Sequence, residues 1–156
     1  MRYVIAIVLL LTTVPALAQF WTHYANERFG YELDIPPGFS SYSEAADGSA
    51  QHFFMAGERQ ELKVWGDRLI TGLEDFAASL IVENTANGWN TTSQAATPQW
   101  ASLSGVQPKR SFFQRMIVLC DGESYAAFRF EFDTADLNAT EPVLQGLTRS
   151  FVPTGC

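Results

Sequence analysis

Histidine and cysteine are scarce in this chain, two of each in 156 residues. Zinc sites use three or four His, Cys or carboxylate ligands at local spacing, and His23 and His52 stand too far apart to supply one. Serine hydrolysis needs a nucleophile on a sharp turn, a base and oxyanion donors. No G-x-S-x-G occurs, and the near miss Gly122-Glu123-Ser124-Tyr125-Ala126 falls within a hairpin pattern. The G-x-x-x-x-G-K cradle for phosphate is absent as well. Basic residues are in deficit, 10 against 17 acids, a net charge of −7. That surface repels phosphate backbones and anionic lipid heads, so nucleic acid and membrane-surface partners are excluded from the expected function. The apolar run from Tyr3 to Leu11 is too short to cross a hydrocarbon core of ~30 Å, which takes about 20 helical residues.

What is present begins with that run. Met1-Arg2 gives a positive start, and Ala16-Leu17-Ala18 before Gln19 has the small-x-small pattern of a signal-peptidase site. Residues 1–18 read as a secretory leader and 19–156 as one globular domain. Gln19 stands where a lipoprotein would carry cysteine, so the expected product is periplasmic or secreted and has no lipid anchor. The 47% hydrophobic and 13% aromatic content argues for a packed core rather than disorder. Cys120 and Cys156 form an even pair in an exported chain, which suits one disulfide. The alternative is a buried thiol at 120 and a loose one at the C-terminus.

Residues 26–35 alternate, with Phe29, Tyr31, Leu33 and Ile35 apolar, and predict one strand stopped by Pro36-Pro37-Gly38. Ser40 to Ser49 reads as a loop. Gln51–Met55 and Glu61–Trp65 read as strands joined through residues 57–59. Leu73, Phe76, Ala77, Leu80 and Ile81 have helical spacing, with Thr71 and Glu74 as a capping box and Asn87-Gly88 as the exit. Signals weaken from Trp89 to Gly105, which permits short strands. Ser111–Leu119 and Ser124–Phe132 predict a hairpin about Asp121-Gly122. A two-residue loop would set Arg115 opposite Phe128. A bulge would bring Phe112, Met116 and Val118 onto the Phe128 face and is the expected register. The last element is a helix of about ten residues with Thr140 as N-cap and Pro142 in its first turn. Strands, helix, strands and helix make an α+β fold with a mostly antiparallel sheet.

Tyr24-x-Asn26-x-Arg28-Phe29-Gly30-Tyr31 running into Ile35-Pro36-Pro37-Gly38-Phe39, the middle helix, and Leu147-x-x-Ser150-Phe151 together resemble the PsbP-like superfamily. The resemblance implies an antiparallel sheet flanked by helices, an α/β/α sandwich, used as a non-enzymatic binding or assembly scaffold. The same residues have a structural reading. Asn26 bonds a neighbouring turn, Phe29 and Tyr31 face the core, Gly30 permits a bend, and Arg28 pairs with an acid such as Glu32.

No catalytic set, cofactor site or metal site is assigned. Trp21, Tyr24, Trp65, Trp89 and Trp100 are a candidate interaction patch, since Trp and Tyr concentrate at binding hot spots. Core packing is the other reading of those rings. Asp121 with Glu123, and Glu131 with Asp133 and Asp136, are oxygen ligands near turns that would suit calcium. The expected function is an exported, non-enzymatic domain that binds an unidentified protein partner or assists assembly in the envelope. A small-ligand or calcium-binding protein is the alternative, and an enzyme using His52 or an acid pair is the third reading.

Overall fold

The computed structural model describes residues 20–57 and 59–156. The leader expected over 1–18 lies outside the described residues, as does Glu58. Ten strands and two helices follow in the order β1 (Thr22–Asn26), β2 (Tyr31–Ile35), β3 (Ser40–Glu44), β4 (Ala50–Met55), β5 (Gln60–Arg68), α1 (Leu73–Ala86), β6 (Asn90–Ala96), β7 (Trp100–Val106), β8 (Arg110–Val118), β9 (Ser124–Asp133), α2 (Leu137–Ser150) and β10 (Val152–Pro153). A seven-stranded sheet is ordered β3-β4-β5-β9-β8-β7-β6, and a three-stranded sheet is ordered β1-β2-β10. Every pairing is antiparallel. The fold is α+β.

The core lies on both faces of the large sheet, split by the two-residue alternation of β9. On one face Ala126, Phe128, Phe130 and Phe132 meet Leu62, Val64, Tyr31, Leu33, Leu147 and Phe151. On the other, Tyr125 and Ala127 meet Phe112, Met116, Leu103 and the α1 residues Leu73 and Ala77. The helices therefore pack into separate clusters. The face that takes α2 is also covered by the small sheet, a layer the sequence pattern does not announce.

Several local expectations are corrected. The strand read over 26–35 is two strands, because Asn26 turns the chain. Its side-chain oxygen accepts from the Phe29 amide at 3.0 Å, its carbonyl accepts from the Gly30 amide at 2.9 Å, and Gly30 takes φ +72°. Period-2 alternation runs through a tight turn without a break, so the pattern hides it. Residues 40–44 form an edge strand instead of a loop. Thr71 does not cap α1. The helix starts from Gly72 with no side-chain cap, one residue beyond the expected cap, while Glu74 and Asp75 still face the positive end of its dipole. Thr140 does not cap α2 either. That helix starts at Leu137 after a short 3-10 turn, so Thr140 is buried inside it and Pro142 lies in its interior.

The β8–β9 register is the unbulged one, with Arg115 opposite Phe128 and Met116 opposite Ala127. The expected bulge would bury Phe112, Met116 and Val118 against Phe128 in place of Arg115 on the core face. The structure keeps Arg115 there by laying its guanidinium 4.0 Å from the centre of the Trp100 ring, where burial lowers the Arg115 pKa. Phe112 and Met116 are buried all the same, on the α1 side. The loop closing this hairpin is tied by Asp121, which accepts from the Ser124 and Glu123 amides at 2.8 and 2.9 Å. Hydrogen bonds from Ser124 and Glu123 lower the Asp121 carboxyl pKa.

Cys120 in that loop is disulfide-bonded to Cys156, with their Cα atoms 5.2 Å apart. The bond anchors the segment that carries β10, whose residues Val152 and Pro153 pair with Glu32 and Tyr31 of β2. The sequence separation is 36 residues. Chain entropy alone makes such a closure worth about 4 kcal/mol, an upper figure. Replacing both cysteines by serine is expected to lower unfolding free energy by up to about that amount in urea denaturation. A double variant as stable as the parent would contradict it.

Candidate functional site

A groove of about 720 Å³ is lined by Trp21, Asp34, Pro37, Pro142, Val143, Gly146, Arg149 and Ser150. Three local features build it. First, Gly146 lets the indole of Trp21 lie on α2: a Cβ at 146 would sit 2.5 Å from the ring. Second, the Asp34 amide donates to Ser150 Oγ at 3.0 Å, and that hydroxyl donates to the Leu147 carbonyl at 3.3 Å, which locks β2 to the end of α2. Third, β2 ends at Ile35 before Pro36, since proline cannot extend a ladder, and Pro37 after it lines the groove. Asp34 and Arg149 then stand on the lining with opposite charge. Phe20, beside the groove-lining Trp21, is 80% exposed.

A second polar constellation sits on the α1 side of the sheet. Arg129 donates from Nε to Glu131 Oε1 at 2.7 Å, and from Nη1 to Asn84 Oδ1 at 3.0 Å and Gln114 Oε1 at 3.2 Å. Its guanidinium lies 3.7 Å from the centre of the Phe112 ring and 5.1 Å from that of Trp89. Asn84 and Gln114 are buried, so this one cation joins α1, β8 and β9. Glu131 also faces Arg110 at 3.8 Å, and Arg110 reaches Asp133 at 3.3 Å. Of the acids expected as calcium ligands, Glu123, Glu131 and Asp133 face arginines, Asp121 ties its own turn, and Asp136 stands at the start of α2. Among the described residues, no group of three or more His, Cys, Asp or Glu is placed to hold a metal ion.

The two histidines lie in different sheets, His23 on β1 and His52 on β4. His23 Nδ1 is 3.2 Å from Asp34 Oδ1 and its Nε2 is 3.6 Å from Glu32, on an exposed strand. His52 Nε2 is 3.5 Å from Glu61, with the ring edge-on to Tyr42 at 5.4 Å. Neither histidine lines the large groove. The five expected patch residues are not brought together. Tyr24 and Trp100 pack on the α2 face and Trp65 and Trp89 on the α1 face, while Trp21 lines the groove. Four of the five rings serve packing because both faces of the sheet are covered. The sequence reading missed the groove itself. Its signal was available in Gly146, a small residue in a helix opposite an aromatic-rich N-terminus.

The motif residues around Asn26 have structural duties as well. Asn26 Nδ2 donates to the Gly48 carbonyl at 2.9 Å. Arg28 pairs with Asp47 at 3.0 Å rather than with the expected Glu32. Hydrogen bonds from Ser49, followed by Arg28, lower the Asp47 carboxyl pKa. Phe29 lies over Gly66, where an added Cβ would come within 2.4 Å of its ring. Phe151 closes the core edge-on to Tyr31 at 5.9 Å and Phe128 at 5.1 Å.

No family model and no curated protein matches the sequence. Solved structures do match. The solution structure of cyanobacterial PsbP (CyanoP) from Synechocystis superimposes with a TM-score of 0.64 at 14% identity, covering 92% of this chain and 98% of that one. The fold is PsbP-like. The crystal structure of the Saccharomyces cerevisiae Ran-binding protein Mog1p has the same fold, with a TM-score of 0.63 at 10% identity over 87% of this chain and 96% of that one. At such identity the likeness is one of fold alone. Among the described residues, no helix is long and apolar enough to cross a membrane.

Arg129 has the clearest energetic consequence. Arg129→Ala leaves Asn84, Gln114 and Glu131 without their shared donor, and is expected to cost about 3 kcal/mol of stability in urea unfolding. A loss below about 1 kcal/mol, the ordinary value for an exposed ion pair, would show that the network is merely peripheral.

Proposed function

We propose that this chain is an exported, non-enzymatic domain that binds a protein partner in the envelope, and that the groove between Trp21 and α2 receives that partner. The observation that carries this reading is the make-up of the groove. Its walls are apolar, with Trp21, Pro37, Pro142 and Val143, and one acid and one base stand among them. A segment with an apolar anchor can desolvate against Trp21, while Asp34 and Arg149 fix its direction through polar contacts of opposite sign. The groove holds no imidazole or thiol and has a single carboxylate, Asp34. General acid–base pairs and covalent catalysis both need more than that.

Three further observations support the reading. One structural neighbour is a Ran-binding protein, so this fold serves as a protein-binding scaffold elsewhere; for function this is fold-level analogy. The Cys120–Cys156 disulfide suits an oxidising compartment, in keeping with a leader over residues 1–18 and a periplasmic or secreted location. The packing of α1 and α2 into two separate core clusters supports an α/β/α sandwich, the arrangement expected of such scaffolds.

Site-specific photo-crosslinking in the native host tests the proposal. A photoreactive residue at Pro37 or Val143 is expected to capture the same envelope protein, while one at the exposed Ile70 captures none. Gly146→Ala, which displaces the Trp21 ring, is expected to abolish the capture without unfolding the domain. Capture from Ile70 with silence from both groove positions would overturn the assignment.

A further inference from the structure

The large sheet ends on two very different edges. On one side β3 carries Glu44 and is followed by the Asp47 that pairs with Arg28. On the other side β6, with sequence Asn-Thr-Thr-Ser-Gln-Ala-Ala, bears neither charge nor proline over its seven residues. Natural edge strands are normally blunted with charge, proline or a bulge. The bulge in β6 lies between Thr91 and Ser93, which leaves Ser93 to Ala96 in regular register with β7.

The direction of the backbone groups follows from one hydrogen bond. The Thr97 amide donates to the Trp100 carbonyl at 2.8 Å, so residue 97 faces β7. By antiparallel alternation Ala95 and Ser93 also face β7, while the amides and carbonyls of Gln94 and Ala96 point outward. Above this edge a groove of about 270 Å³ separates β6 from α1, lined by Ala77, Ala78, Ile81, Ala96 and Leu103. Val82, on the same flank of α1, is 71% exposed. An uncharged strand edge thus continues into an apolar helix flank.

We propose that a second copy of this chain pairs antiparallel along β6, continuing the sheet across a two-fold axis through Ala95. The charge of the molecule favours this occupant. An isologous contact sets each patch against itself, so in a chain of net charge −7 a charged edge would meet its own charge. On β6 neutral residues meet neutral residues, and the apolar flank of α1 meets its counterpart. With the axis at Ala95, Gln94 of one copy faces Ala96 of the other, and their outward amides and carbonyls satisfy one another. Glu74, which also lines the groove, is the acid brought to both sides of the axis. This pairing is independent of the Trp21 groove, which lies on α2.

Sedimentation of the chain over increasing concentration tests it, together with four variants. The parent is expected to move from one chain mass toward two. Ala95→Glu places like charges directly opposite and is expected to weaken association roughly tenfold or more, with thermal unfolding of the single chain unchanged. Glu74→Gln is expected to strengthen it. Ala95→Cys is expected to form an intermolecular disulfide, because non-hydrogen-bonded antiparallel partners stand close, whereas Tyr42→Cys on the β3 edge is not. A single-chain mass at every concentration, dimerisation indifferent to Ala95→Glu, or equal crosslinking from Tyr42→Cys would overturn the proposal.

Discussion

Burial of β9 on both faces is the constraint from which the other layers follow. Residues 125–128 are consecutive and all buried, so this strand has no wet side in its first half. One face must be covered by α1 and its neighbours and the other by α2 with the small sheet. A polar side chain on such a strand has to be satisfied from within. Arg129 meets that condition through Glu131, Asn84 and Gln114, and its flat guanidinium fills the space over Phe112 as an apolar side chain would. Arg115, facing the other way on β8, uses the ring of Trp100 to the same end.

Covering the second face with two thin layers requires close approach. Phe29 reaches the sheet because Gly66 offers no Cβ, and Trp21 reaches α2 because Gly146 offers none. The disulfide holds the C-terminal segment, whose β10 pairs with β2, to the hairpin loop of β8 and β9. The groove is a by-product of this construction. It lies where a three-stranded sheet, too small to cover α2 completely, leaves the helix flanked by Trp21 and Pro37.

The parts of this arrangement legible in the sequence are those with unbroken periodicity. Leu73 to Ile81 declared α1 through its 3.6-residue spacing, and the hairpins of β4 with β5 and β8 with β9 were marked by alternation and turn residues. The even cysteine count suited the disulfide and left two free thiols as the alternative, because sequence carries no distance between the two residues. Failures came where two physical signals compete. Residues 26–35 alternate cleanly through a turn made by Asn26 and Gly30, so the small sheet was invisible. The register of β8 on β9 was misread because the pattern rule treats arginine as solvent-facing, and an aromatic partner can shield it. The ends of the helices were misplaced since Thr71 and Thr140 fit capping rules that tertiary packing overrides. As for the site, Trp21 was picked out by residue type, but the groove depends on Gly146, whose role appears only once α2 lies against the N-terminal strands.

If β9 is the pillar of the molecule, local stability must fall outward from it toward the edges. Native-state amide hydrogen exchange measures that gradient residue by residue. The account predicts that the amides of residues 125–130 exchange most slowly, at the rate of global unfolding, and that those of β3 exchange fastest among the strands of the large sheet. Exchange in β9 as rapid as in β3 would contradict it.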